Sequence, residues 1–163
     1  MSAAVLLSIG VSQRRPAVFC RQSERSLTSF GMTWKREWCY FGLMHARLTK
    51  DFTFEAAQTL PYAPEGHKCR RVHGHSFKVE VSVEGNVDPK VGWVYDHANI
   101  SDAMKPLLKM LDHAYLNEIE GLENPTIEKM AEWLWKKLEP QCPGLCEIVV
   151  HETPTARCVY SGE

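Results

Sequence analysis

His73-Gly74-His75-Ser76-Phe77-Lys78-Val79-Glu80-Val81-Ser82-Val83-Glu84 alternates two kinds of residue with a period of two. Successive side chains of an extended chain point to opposite sides. His73, His75, Phe77, Val79, Val81 and Val83 therefore share one face, and Gly74, Ser76, Lys78, Glu80, Ser82 and Glu84 share the other. The stretch predicts an antiparallel strand with one face on a core and one toward water. It also sets two histidines at one end of the apolar face. A second alternation begins upstream at Leu48, with Phe52, Phe54, Ala56 and Gln58 on one side and Thr53, Glu55 and Ala57 on the other. Residues 59–72, with Pro61, Pro64 and Gly66, read as the loop between the two strands, and Gly85-Asn86 reads as a turn after the second.

Downstream the period changes. Ile100, Ala103, Met104, Leu107, Leu108 and Leu111 recur at spacings of three and four, which predicts a helix that Pro106 should kink or restart. Asn124-Pro125-Thr126 opens a second helix, with Thr126 as its N-cap and Glu128 in its first turn. Ile127, Met130, Ala131, Leu134, Trp135 and Leu138 form its apolar stripe, and Lys136 and Lys137 lie near its end before Pro140. Residues 146–152 and 157–161 read as two closing strands. The expected class is α+β, in the order strand, strand, helix, helix, strand, strand.

Length and composition agree with this order. The chain has 163 residues, 44% hydrophobic and 24% charged, with a formal net charge of −1. That balance belongs to a globular domain. It lacks the global basic field of a nucleic-acid binder, and no run approaches the ~18 apolar residues of a membrane span. Neither nucleic acid nor a membrane is expected as a partner. Charge is unevenly placed: residues 1–43 carry a balance of +4 and the remainder −5. The first 43 residues show neither strand nor helix period. They read as an N-terminal extension, disordered or not part of the native protein, ahead of a domain at 44–163 that starts at Met44. Six cysteines without a secretory signal point to a reducing compartment, and the expected location is the cytoplasm.

Chemistry concentrates in four places. Cys69-Arg70-Arg71-Val72-His73-Gly74-His75 puts two imidazoles at i and i+2 of a strand, where both can chelate one metal ion. The competing reading is two strand-edge histidines held by polar partners. Cys69 lies beside two arginines, whose charge favours a thiolate able to act as base or nucleophile. Asp112-His113 closes the first helix; a carboxylate can orient an imidazole for proton transfer, although neighbours on a helix do not face each other, and the competing reading is a helix-end histidine interacting with the dipole. Glu152 ends the apolar run Ile148-Val149-Val150 and can accept hydrogen bonds from a planar heterocycle, or it can simply be a solvated strand end.

Taken together, Asp51-Phe52-Thr53-Phe54-Glu55-Ala56-Ala57, Gly66-His67-Lys68-Cys69 with His73-Gly74-His75, Leu111-Asp112-His113 with Tyr115-Leu116-Asn117, Gly121-Leu122-Glu123-Asn124-Pro125-Thr126 and His151-Glu152-Thr153 resemble one family. This is the 6-pyruvoyltetrahydropterin synthase superfamily. The short C-x-x-x-H-G-H spacing is similar to its bacterial branch, the 6-carboxytetrahydropterin synthases of the queuosine pathway. The resemblance runs from about Leu48 to Gly162.

The resemblance implies a tunnelling fold: an antiparallel four-stranded sheet with two helices on one face, in the order ββααββ. It implies subunits joined into barrels, commonly a homohexamer built as a dimer of trimers, with active sites between subunits. It implies a lyase that converts 7,8-dihydroneopterin triphosphate to 6-carboxy-5,6,7,8-tetrahydropterin, acetaldehyde and triphosphate. The cofactor it implies is zinc, with His73 and His75 as two ligands. Cys69 matches the general base, Asp112 and His113 the proton relay, and Glu152 the carboxylate that anchors the pterin ring. One position departs: Gln58 stands where the family has its third zinc-ligating histidine, and an amide oxygen is a weaker, neutral donor. Gln58 is therefore an uncertain third ligand. The alternatives are a pyruvoyl-type lyase and a pterin-binding paralogue with an impaired metal site.

Overall fold

Phe54 and Phe77 stack across two strands with ring centroids 5.1 Å apart, in the computed structural model of the chain, which describes residues 43–163. The expected extension at 1–43 lies outside the described residues except for Leu43. Strand β1 (His45–Gln58) pairs antiparallel with β2 (His73–Asn86) along its whole length, from His45 opposite Asn86 to Gln58 opposite His73. The expected turn at Gly85-Asn86 is instead strand. β1 begins before Leu48, so Ala46 and His45 are there to pair with Gly85 and Asn86.

Helix α1 (His97–Leu111) is capped by Asp96, whose carboxylate accepts the Ala98 N–H at 2.8 Å. It continues through Pro106 as one helix, so the expected restart there does not occur. Pro106 and Asp102 are both exposed, so the carbonyl left without an N–H partner faces water. The buried stripe Ile100, Ala103, Met104, Leu107 and Leu111 holds the helix on the core. Helix α2 (Ile127–Leu138) starts where Thr126 accepts the Lys129 N–H at 3.4 Å.

The sheet corrects the expected four antiparallel strands. Between the helices a two-residue strand, β3 (Ala114–Tyr115), runs parallel to β1, with Ala56 opposite Ala114 and Ala57 opposite Tyr115. With β4 (Leu145–Thr153) and β5 (Ala156–Tyr160) the sheet has five strands in the order β3-β1-β2-β4-β5. Two residues carry no readable period, so sequence alone does not reveal β3. Phe54, Phe77, Val79, Val81, Val83, Ile148 and Val150 are buried in one cluster with the apolar stripes of α1 and α2. The α+β class and the face assignment of each long strand stand. Among the described residues, no helix is long and apolar enough to cross a membrane.

Gly144 shapes the entry to β4. It has φ +81°, its carbonyl accepts the Glu84 N–H at 2.8 Å, and a Cβ there would lie 2.6 Å from the Glu84 carbonyl oxygen. A side chain meets both a left-handed backbone and a fixed backbone atom. Gly144→Ala should lower stability by about 2–3 kcal/mol. A urea denaturation midpoint indistinguishable from wild type would contradict this account of the turn.

Candidate active site

The β1–β2 register and the last turn of β4 bring four side chains to one end of the core face. Gln58 lies opposite His73, and Ala56 opposite His75. On β4, Glu152 follows His151, which pairs with Lys78. By strand alternation Glu152 shares the face of Ile148 and Val150 and comes diagonal to His75. The result is a compact set: one ligand atom each from His73, His75 and Glu152 lie within 4.8 Å of one another. Glu152 Oε1 is 3.4 Å from His75 Nε2 and accepts an N–H of the Gln58 amide at 2.9 Å. The His73 and His75 rings meet edge to face, with centroids 5.1 Å apart.

Two atoms of this set are buried without a partner: His73 Nε2 and Gln58 Oε1. Such orphans cost free energy unless something fills the place. On the other side of the ring, His73 Nδ1 is 2.8 Å from the Arg71 carbonyl oxygen. A carbonyl only accepts, so Nδ1 carries the proton and Nε2 presents a lone pair. That is how a ligating histidine is held by the groups around a metal. The nitrogen and oxygen donors, together with the orphaned atoms, fit a metal ion. The competing reading, two histidines capped by polar partners, leaves His73 Nε2 without a partner. Sequence reasoning put Glu152 on the substrate; the structure also brings it to the histidines. Nothing in one strand's pattern shows this, because it depends on the register of a third strand.

Cys69 sits in a 3-10 turn, Lys68–Arg70, capped by the His67 imidazole, which accepts the Cys69 N–H at 3.2 Å. The Cys69 carbonyl accepts the Leu60 N–H at 2.8 Å. This closes the loop just beyond Gln58 and holds Cys69 at the cluster's end of the sheet. The thiol is half-buried and stands outside the three-residue cluster.

Asp112 and His113 are more closely joined than helix geometry allows. Helix α1 ends at Leu111, and His113 takes φ +58°, the one left-handed residue other than glycine among the described residues. That turn brings its Nδ1 to 3.0 Å from Asp112 Oδ1. Both residues also dock on the β1 edge: Asp112 Oδ1 accepts the Glu55 N–H at 3.0 Å, and the His113 N–H donates to the Glu55 carbonyl at 2.6 Å. The Glu55 backbone N–H, and then the His113 ring, hold the Asp112 carboxyl below its ordinary range. The imidazole itself is 79% exposed and borders an open depression of about 390 Å³ whose lining runs over Glu55, Ala56, Gly74, His75 and Ser76. The depression thus reaches the strand segment that carries His75. The close set of ligand atoms from His73, His75 and Glu152 does not include Asp112 or His113.

Asn117 is a residue whose task the sequence did not disclose. Its side chain accepts the Thr59 N–H at 2.8 Å and donates to the Thr59 carbonyl at 2.9 Å and the Glu123 carbonyl at 3.0 Å. Tyr115 adds a hydroxyl contact to Thr59 Oγ1 at 2.9 Å. The backbone directly after Gln58 is thereby clamped.

Comparisons with known proteins agree with this layout. The sequence model of the family described as 6-pyruvoyl tetrahydropterin synthase matches residues 47–163. A Synechocystis protein named 6-carboxy-5,6,7,8-tetrahydropterin synthase is 44% identical over 117 residues, spanning 68% of this chain and 89% of that protein. A Pyrococcus furiosus protein named dihydroneopterin monophosphate aldolase is 35% identical over 101 residues, 62% of this chain and 82% of that protein. Among solved structures, the 6-pyruvoyl tetrahydropterin synthase of Caenorhabditis elegans superposes with a TM-score of 0.69 at 27% identity, covering 76% of this chain and 99% of that one. With the motifs carried on the expected strands and the match spanning nearly all of the described residues, the chain belongs to the 6-pyruvoyl tetrahydropterin synthase family.

Proposed function

We propose that this chain is a carbon–carbon lyase, a 6-carboxytetrahydropterin synthase that converts 7,8-dihydroneopterin triphosphate to 6-carboxy-5,6,7,8-tetrahydropterin, acetaldehyde and triphosphate in queuosine (7-deazapurine) biosynthesis. The observation that carries the reading is the 44% identity to the Synechocystis protein of that name. A Bacillus subtilis protein of the same name, 30% identical over 125 residues, adds to it. The likeness to the Pyrococcus aldolase, and an amide at position 58, favour as second reading a related pterin lyase or a pterin-binding paralogue with an impaired metal site.

The cofactor in this reading is zinc, held by His73 and His75 with the carboxylate and amide beside them. When bound it supplies a Lewis acid that polarises the side-chain oxygens of the substrate and acidifies the adjoining C–H groups. Cys69 stands at the cluster's end of the sheet and takes a proton from that side chain as general base. Asp112 fixes the His113 ring through Nδ1, which leaves Nε2 free to give or receive a proton. Glu152 accepts N–H groups of the pterin edge through a charged oxygen. Triphosphate departs readily without a strong acid.

The reading includes a homo-oligomer, a hexamer formed as a dimer of trimers, with sites completed between subunits. Two features support it. The sheet ends on both sides in edge strands, β3 and β5, with Val159 exposed on the latter. Asp112 and His113 do not meet the histidine cluster within one chain. We place the protein in the cytoplasm, where the free thiols Cys69, Cys142, Cys146 and Cys158 would stay reduced.

The deciding experiment is incubation with 7,8-dihydroneopterin triphosphate, with products read by mass. The carboxypterin together with acetaldehyde supports the reading; a product that keeps its three-carbon side chain supports the pyruvoyl-type alternative. Cys69→Ala should lower kcat by about 10²–10⁴-fold while bound zinc per chain stays at the wild-type level. Retained turnover would remove Cys69 from the base role. Cys69→Ala and His113→Ala chains, each inactive alone, should recover up to about a quarter of the wild-type rate when co-expressed, since random assembly leaves that share of shared sites intact. Failure to recover any rate would place the whole relay within single chains.

A further inference from the structure

We propose that Glu152 takes the third ligand place at the metal in this chain, giving a His73–His75–Glu152 donor set, and that Gln58 is the positioning residue that aims its carboxylate. The inference rests on the zinc reading above and changes who holds the ion.

An amide offers a metal site two different groups. Its oxygen is a neutral and weak donor for a first-row cation, but its N–H group is a good partner for an anion. Gln58 uses that N–H on Glu152 Oε1 at 2.9 Å. Gln58 is fully buried while the Glu152 side chain is 24% exposed, so the hydrogen bond is made at the edge of the core, shielded from water on the amide side. Oε1 is thus held at one position, and that position is 3.4 Å from His75 Nε2. This separation is long for a hydrogen bond between an imidazole and a carboxylate. It equals the edge of a tetrahedron around an ion with bonds of about 2.0–2.2 Å, which sets ligand atoms about 3.4 Å apart.

The third corner is ready as well. His73 Nε2 is buried, has no partner, and carries a lone pair because Nδ1 is engaged by the Arg71 carbonyl. Two imidazoles and one carboxylate form a known zinc donor set with one place left open for water or substrate. Charge favours the same choice. Two neutral ligands and an amide would leave the full double charge of the ion in a poorly solvated spot, whereas the carboxylate halves it. Glu152 Oε2 remains for the substrate, so the ligand role and the pterin contact use different oxygens. An amide hydrogen bond to a ligating carboxylate is an arrangement of the kind that supports metal ligands elsewhere.

The test is a competition titration of the full chain against a chromophoric zinc chelator. It compares wild type, Glu152→Gln, Glu152→Asp, Gln58→Ala and the Gln58→Ala/Glu152→Gln double variant. Thermal melts of the metal-free proteins check that each is folded. Glu152→Gln should weaken zinc at least tenfold, and Glu152→Asp should fall between it and wild type. Gln58→Ala should weaken zinc about 10–100-fold in the wild-type background but less than threefold when Glu152 is already Gln, because it acts only through the carboxylate. Zinc affinity of Glu152→Gln within threefold of wild type overturns the proposal, and so do additive effects of the two substitutions. If Glu152→Gln does not fold, Glu152→Asp with wild-type affinity has the same force. A wild-type chain that binds no zinc overturns the zinc reading itself, and this assignment with it.

Discussion

The register between β1 and β2 is the constraint on which the rest of the molecule depends. A strand shifted by one residue turns every side chain to the opposite face. Here the shift would send His73 and His75 to the side of Ser76 and Lys78, and it would separate Gln58 from them. The stacked pair Phe54–Phe77, buried in the middle of the core face, resists that slip because both rings must leave the core together. Burial of two phenylalanines is worth several kcal/mol in such a setting, on the order of 1.5–3 each. The chemistry at the strand ends is therefore held in alignment by packing several residues away.

Sidedness was legible in the sequence because it depends only on period. The alternation from His73 to Glu84, the stripe from Ile127 to Leu138 and the Thr126 cap each have a local cause and appear where that cause puts them. Other features have no local cause. β3 exists because the chain leaving α1 falls against the free edge of β1, and its two residues repeat nothing. Pro106 stays helical because the carbonyl it leaves unpaired can reach water, which depends on the helix's orientation in the fold. The proximity of Glu152 to His75 depends on how β4 aligns with β2. The motifs of the resemblance held the right residues, but not which of them meet.

Asp112 and His113 show how a local rule gives way at a functional position. Adjacent helical residues point apart, so the dipeptide alone promises little cooperation. The chain escapes the rule by ending the helix one residue earlier and placing His113 in a left-handed conformation, a cost of order 1–2 kcal/mol for a residue with a Cβ. The Glu55 backbone takes up both new polar groups, one hydrogen bond to the Asp112 carboxylate and one from the His113 N–H. The strained turn thereby becomes part of the sheet edge.

The Asn117 clamp has a further consequence. It fixes the backbone beyond Gln58 with hydrogen bonds to both polar groups of Thr59, and none of these needs an ion. The same holds for the Arg71 carbonyl that orients His73. These groups are held by the protein's own hydrogen bonds, unlike a zinc finger, whose ligands come together only as the metal folds the chain. An ion entering such a site would meet donors already in place, so its arrival and departure would not require the chain to fold or unfold, and metal-free protein would stay folded and ready to be reloaded.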